Sequence, residues 1–150
     1  MKRIHKVLVF AVPLVVFLTV AKLTNTSPPT NVAKTAPDAE PALKTRIYNA
    51  PFDKVENVAR KVALSQRTYG KSWTMPYTGR ADDTMSTKTL DVEVPVLIFT
   101  DDLSVTLEVV EEGTKVDVRS ASRIGKGDFG ENRRHIIQFL SALDAEMGNQ

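Results

Sequence analysis

At 150 residues the chain has room for one ordinary domain with extensions. Its composition is globular, with 42% hydrophobic and 25% charged residues, 7 glycines and 8 prolines. It contains no cysteine and only two histidines, which excludes a disulfide scaffold, a thiolate zinc site, a cysteine nucleophile, a lipidated-cysteine anchor and a multi-histidine metal centre. The formal charge of +2 sits at the start: without Lys2, Arg3 and Lys6 the basic count falls from 20 to 17 against 18 acids. Bulk charge therefore gives no support to nucleic-acid binding.

Residues 1–23 read as an export segment. Lys2, Arg3 and Lys6 precede an uncharged apolar run from Val7 to Ala21. As a helix that run is about 22 Å long, short of the ~30 Å hydrocarbon core, so its length favours a signal peptide, while Lys22 equally well ends a short membrane anchor. Either way the expected location is the periplasm or the extracytoplasmic face of the inner membrane. Residues 24–43 carry four prolines with Thr and Asn and no apolar period, the composition of a linker. Extended, the stretch from Lys22 to Leu43 spans up to roughly 70 Å at ~3.1 Å per residue. A single folded domain is expected over residues 44–150.

Within that domain Thr45 to Tyr48 suits a short strand. Pro51 suits the first residue of a helix running to Gln66, with Phe52, Val55, Val58, Ala59 and Val62 on one face. Residues 67–89 suggest one or two irregular strands around Trp73 and Tyr77, read as core and rim aromatics. Leu90, Val92 and Val94 then alternate with acids, Val96 to Phe99 follows, and Pro95 marks an edge position or bulge. Leu103, Val105, Leu107 and Val109 alternate likewise, Glu111 to Thr114 makes a turn, and Lys115 to Ile124 returns. Asp128 and Glu131 have the spacing of a capping box, and Ile136, Leu140, Leu143 and Met147 stripe a closing helix. The expected class is α+β, in the order β-α-β-β-β-β-α. It is a two-layer domain: an antiparallel sheet of about four to five strands with both helices on one face.

The densest chemistry lies between residues 117 and 134. Strand periodicity sends Val116, Val118, Ser120, Ser122 and Ile124 to one face and Asp117, Arg119, Ala121 and Arg123 to the other. Asn132, Arg133 and Arg134 fall in a first helical turn, where cations oppose the dipole and call for an acidic offset. Arg119, Ser120, Ser122, Arg123, Asp128, Asn132 and Arg133 are thus the candidate ligand-binding set, with Arg119 or Arg123 expected close to the helix start. An anion would suit them. The competing reading is structural: the serines bond locally and the arginines pair with the ten acids of residues 81–118. Ser120 or Ser122 with His135 and Asp128 supplies the letters of a hydrolase triad, but no nucleophile elbow surrounds either serine, and His135 reads as a surface or interface residue. Asp82-Asp83 and Asp101-Asp102 read as turn acids rather than calcium ligands. No metal or cofactor is implied.

Asp101-Asp102, the run Asp117-Val118-Arg119-Ser120-Ala121-Ser122-Arg123-Ile124-Gly125, and Asp128-Phe129-Gly130-Glu131-Asn132-Arg133-Arg134 resemble the signature of the domain-of-unknown-function family numbered 1499. The resemblance covers roughly residues 44–147. It implies an exported or membrane-tethered protein and no particular activity. The family often has arginine where His135 stands and serine where Gly127 stands. Sequence and resemblance together lead us to expect an envelope domain, non-enzymatic in character, that binds an anionic ligand, lipid or envelope protein through its arginines. The alternative is a carrier of a small apolar ligand or lipid between sheet and closing helix, lined by Trp73, Val94, Val96, Leu107 and Leu140.

Overall fold

The computed structural model describes residues 31–76, 79–125 and 127–148, so residues 1–30, including the export segment, and Tyr77 lie outside the described residues. In chain order the elements are β1 (Val32–Lys34), a single 3-10 turn (Pro41–Leu43), β2 (Arg46–Tyr48), α1 (Phe52–Ser65), β3 (Arg67–Thr68), β4 (Lys71–Ser72), β5 (Thr87–Val96), β6 (Phe99–Val110), β7 (Gly113–Ser122) and α2 (Glu131–Gly148). β5, β6 and β7 form an antiparallel meander, as their alternating residues demand. β1 and β2 both pair antiparallel with the free edge of β7, at Val32↔Ala121 and Arg46↔Val116. β3 and β4 make a separate two-stranded hairpin.

One face of the sheet carries Leu90, Val92 and Val94, then Leu103, Val105 and Leu107, then Val116 and Val118, all buried. Val55, Ala59 and Val62 of α1 and Ile136, Phe139, Leu140 and Leu143 of α2 close over it, with Trp73 among them. Each such Val, Leu, Ile or Phe side chain contributes roughly 1.5–3 kcal/mol by leaving water. Both helices therefore lie on the same face, and the class is α+β as expected. Trp73, Val94, Leu107 and Leu140 belong to this packed core. Val96, also proposed for an internal cavity, lines instead the open pocket at the end of the sheet.

Three boundaries differ from expectation. The folded part starts before Lys44, because residues 32–34 are a strand and residues 35–45 a strap along β7. Three-residue strands have no readable period, and their stability comes from partners far along the chain. At the other end α2 begins at Glu131, two residues later than a cap at Asp128 implies. Asp128 still serves the helix start: its two carboxylate oxygens accept the amides of Gly130 and Asn132, each at 2.9 Å. The Glu131 side chain does not return to Asp128, so only half of the capping box forms. The third difference is small: Pro51 precedes α1 as its cap instead of opening it.

At the β6–β7 turn Gly113 is required twice over. Its φ is +130°, and a Cβ there would meet the carbonyl oxygen of Tyr48 at 2.2 Å, so the end of β2 can approach only a glycine.

Candidate functional site

β7 divides the expected site into two. On the inner face Ser120 is fully buried and donates to Asn132 Oδ1 at 2.6 Å. The Asn132 amide donates in turn to Ser122 Oγ and to the carbonyl of Asn31, both at 3.0 Å. On the outer face Arg123 binds Asp102 and Glu93, each at 2.6 Å, and those hydrogen bonds hold its guanidinium above its usual range. Arg119 is exposed on that same outer face, in a shallow groove of about 380 Å³ shared with Arg123 and Asp91. Neither arginine therefore lies against the first turn of α2; strand parity sends them to the opposite side of the sheet. The cations that do occupy that turn are offset by carboxylates, Arg133 by Glu40 at 2.7 Å and Arg134 by Glu131.

Much of the motif serves to hold the strap. Asp117 accepts the hydroxyls of Thr35 at 2.9 Å and Thr45 at 2.5 Å, and Thr35 also exchanges hydrogen bonds with the backbone of Val118. Asn132 fixes Asn31, and Arg133 fixes Glu40. Ser120, Ser122, Asn132, Asp117 and Arg133 thus work as staples between the N-terminal strap and the sheet–helix body.

His135 is not on the surface. It is 1% exposed, edge-on to Trp73 with ring centroids 6.1 Å apart. Its Nδ1 lies 3.7 Å from Asp101 and its Nε2 3.5 Å from Glu131, and neither nitrogen has an aligned hydrogen-bond partner. Neither serine bonds to the imidazole, so the Ser–His–Asp128 constellation is not assembled. The burial follows from helix geometry: His135 stands one turn before Phe139 and one residue from Ile136, inside the stripe facing the sheet.

Beside this histidine, at the end of the sheet, a pocket of about 200 Å³ opens. Val96, Leu97, Phe99, Ile124 and Phe129 form its apolar walls; Asp101, Ser122, Asp128 and Glu131 supply its polar part. The two deepest acids behave oppositely. Burial raises Asp101, and its neighbours His135 and Ser122 offset only part of that penalty. Burial also pushes Glu131 upward, but the adjacent His135 and hydrogen bonds from Arg134 and Tyr69 outweigh it and bring the carboxyl down to about 2. Tyr69 donates to Glu131 at 2.9 Å, and its phenol is raised by burial and by that carboxylate.

Backbone strain gathers at this end. The non-glycine residues with positive φ among those described are Tyr69 (51°), Leu97 (54°) and Phe129 (51°). All three are bulky and exposed, and all three border the pocket or its Glu131 wall. Left-handed backbone costs a bulky residue about 1 kcal/mol or more relative to glycine, and none of the three regains it in the core.

Of the expected set, then, Ser120, Ser122, Asn132 and Asp128 come together, while Arg119, Arg123 and Arg133 stand apart from them. Missed were Asp101, Glu131 and the apolar walls. A signal for Asp101 was present: carrying the alternation of Leu107, Val105 and Leu103 back by two residues puts Asp101 on the core face.

Protein CV1439 from Chromobacterium violaceum, known from an X-ray crystal structure, is similar over 77% of this chain and 96% of its own, at 10% identity and a TM-score of 0.41. At that score the likeness carries no argument about the site. No curated protein matches the chain. The family model described as "Protein of unknown function (DUF1499)" matches residues 21–143, which spans the strap, the meander and most of α2, and the chain belongs to that family.

Proposed function

We propose that the chain is an exported, non-enzymatic binding domain of the cell envelope, delivered by residues 1–23, with its ligand site in the pocket at the sheet end. Apolar walls from Leu97, Phe99, Ile124 and Phe129 suit a hydrocarbon body, and Asp101 suits a hydrogen-bond-donating or cationic head. At about 200 Å³ the pocket is below the ~300 Å³ of ordinary small-molecule sites, so it takes a short amphiphile or the end of a longer one. The observation that carries this reading is Asp101, a carboxylate 3% exposed, raised by burial and opening onto a cavity. A ligand ammonium there relieves a desolvated charge that the protein leaves short of donors.

The test compares an alkylamine, the alcohol and the carboxylate of equal chain length as thermal stabilisers of the full chain. The amine is expected to stabilise most and the carboxylate least, with the preference erased in Asp101→Asn. Equal response to the carboxylate, or an unchanged preference in the variant, discards the reading.

One observation supports a second reading: Arg119 has no carboxylate partner among the described residues and shares its groove with Arg123. An anionic envelope component would bind that face. If Arg119→Gln with Arg123→Gln stays folded and still binds an anionic polymer, this alternative is discarded.

A further inference from the structure

We propose that the pocket end of the domain rests on the lipid bilayer, so that the pocket opens at the membrane surface. The inference builds on the reading of residues 1–23 as a membrane-directed segment.

Three loops meet at this end: the β3–β4 turn with Tyr69, the β5–β6 turn with Leu97 and Ile98, and the β7–α2 connection with Ile124 and Phe129. Ile98 is 87% and Ile124 68% exposed, far more than apolar side chains need be at ordinary turns. Turn chemistry favours Gly, Asn or Asp at positive φ, yet here those positions hold Tyr69, Leu97 and Phe129. The choice makes sense where the side chain, not the backbone, is what the turn must present. Lys71 adds a cation among them, its Nζ bonded to the Leu97 carbonyl at 2.9 Å, and a lysine and a tyrosine beside apolar tips are the residue types of a membrane interface.

The bilayer, rather than another partner, is singled out by where the chain enters. Asn31 bonds to the Ser122 amide and the Gly125 carbonyl, so the described chain begins at this same end, among these loops. The apolar run Val7 to Ala21 precedes it by no more than residues 22–30, a tether of about 28 Å at full polyproline extension. A membrane holding that run keeps this end of the sheet as its nearest neighbour. The far end, with Met85 and the β6–β7 turn, stands another ~30 Å away along β5. Apolar tips of this kind enter the headgroup region without spanning it.

The chain has no cysteine, so single cysteines carry a fluorophore without further changes. Full chains with Ile98→Cys, Ile124→Cys or the 97% exposed control Met85→Cys are labelled with an environment-sensitive dye. They are then mixed with phosphatidylethanolamine–phosphatidylglycerol vesicles containing a doxyl-lipid quencher. The labels at 98 and 124 are expected to shift to the blue and be quenched several-fold more than the label at 85. Equal quenching at the two ends, or none at 98 and 124 in protein that floats with the vesicles, overturns the proposal and leaves the membrane-directed segment standing. Protein that does not float overturns both. Blue-shifted labels without vesicles, in protein that sediments as a dimer, assign this end to a second copy and also overturn it. The amine-preference experiment stands apart, since it reads the pocket in the absence of lipid.

Discussion

Along β7 the polar residues of the motif have found partners inside the chain, whereas at the neighbouring end pocket Asp101 is left short of donors and the apolar walls stay open to solvent. Ser120, Asn132 and Asp117 are satisfied by one another and by the strap. Asp101 is buried short of donors, and Leu97 and Phe129 are exposed on strained backbone. The contrast teaches where to look for a ligand. A dense polar motif marks the place where the chain binds itself, and the place left incomplete is where something else is wanted.

The comparison is broken most severely at Asn132. Asn132→Ala removes three hydrogen bonds from a fully buried group and leaves Ser120 Oγ without its acceptor, so about 3 kcal/mol of stability should be lost in urea unfolding. A loss near zero would mean that the motif is not a staple. Asp117→Ala should cost about 2 kcal/mol, as two hydroxyls lose a charged acceptor, and trypsin should then cut at Lys34 and Lys44 in the loosened strap before the body is digested.

Within the pocket the two acids are predicted to act with opposite sign. Glu131 has a folded value of about 2, depressed below the ordinary 4.5, so its contribution is complete above pH 4.5 and lost as pH falls towards 2. Glu131→Gln should flatten the acid limb of the stability curve over that window. Asp101 is raised in the folded state, so its ionisation works against folding once pH rises past its unfolded value near 3.8. Asp101→Asn should therefore match or exceed the parent in stability at neutral pH while losing the amine preference, the pattern of a residue kept for binding. A variant that is both unfolded and unresponsive would contradict that assignment. The smallest effect is expected on the outer face: Arg123→Gln should change stability by well under 1 kcal/mol, less still in high salt, because its partners are solvent-exposed.

The meander and the two helices were legible because each repeats its apolar residues at a fixed period over ten residues or more. The strap was not. Val32-Ala33-Lys34 offers no period, and Pro37 and Pro41 in the stretch behind it read as linker, although Thr35 and Thr45 are tied to Asp117 across 82 and 72 residues. The site was legible in part: the parity of β7 separated serines from arginines correctly, and grouping them again as one site ignored that parity. His135 and Asp101 were hidden for a common reason. Each is a titratable residue on an apolar face, just beyond the apolar residues that define it: Asp101 one strand repeat before Leu103, and His135 one residue before Ile136 on the helix.

The double pairing of β7 also dictates the order in which the molecule can be assembled during synthesis. Asn31 meets Asn132 across 101 residues, and Val32 meets Ala121. The strap is thus among the first parts of the fold to leave the ribosome, and its partners among the last. Contacts of such high order delay closure until nearly the whole domain is out. A nascent chain that cannot close its sheet early remains threadable, the state that the proposed export requires. The same staples that fix the finished domain, Asp117 and Asn132, are therefore expected to close last.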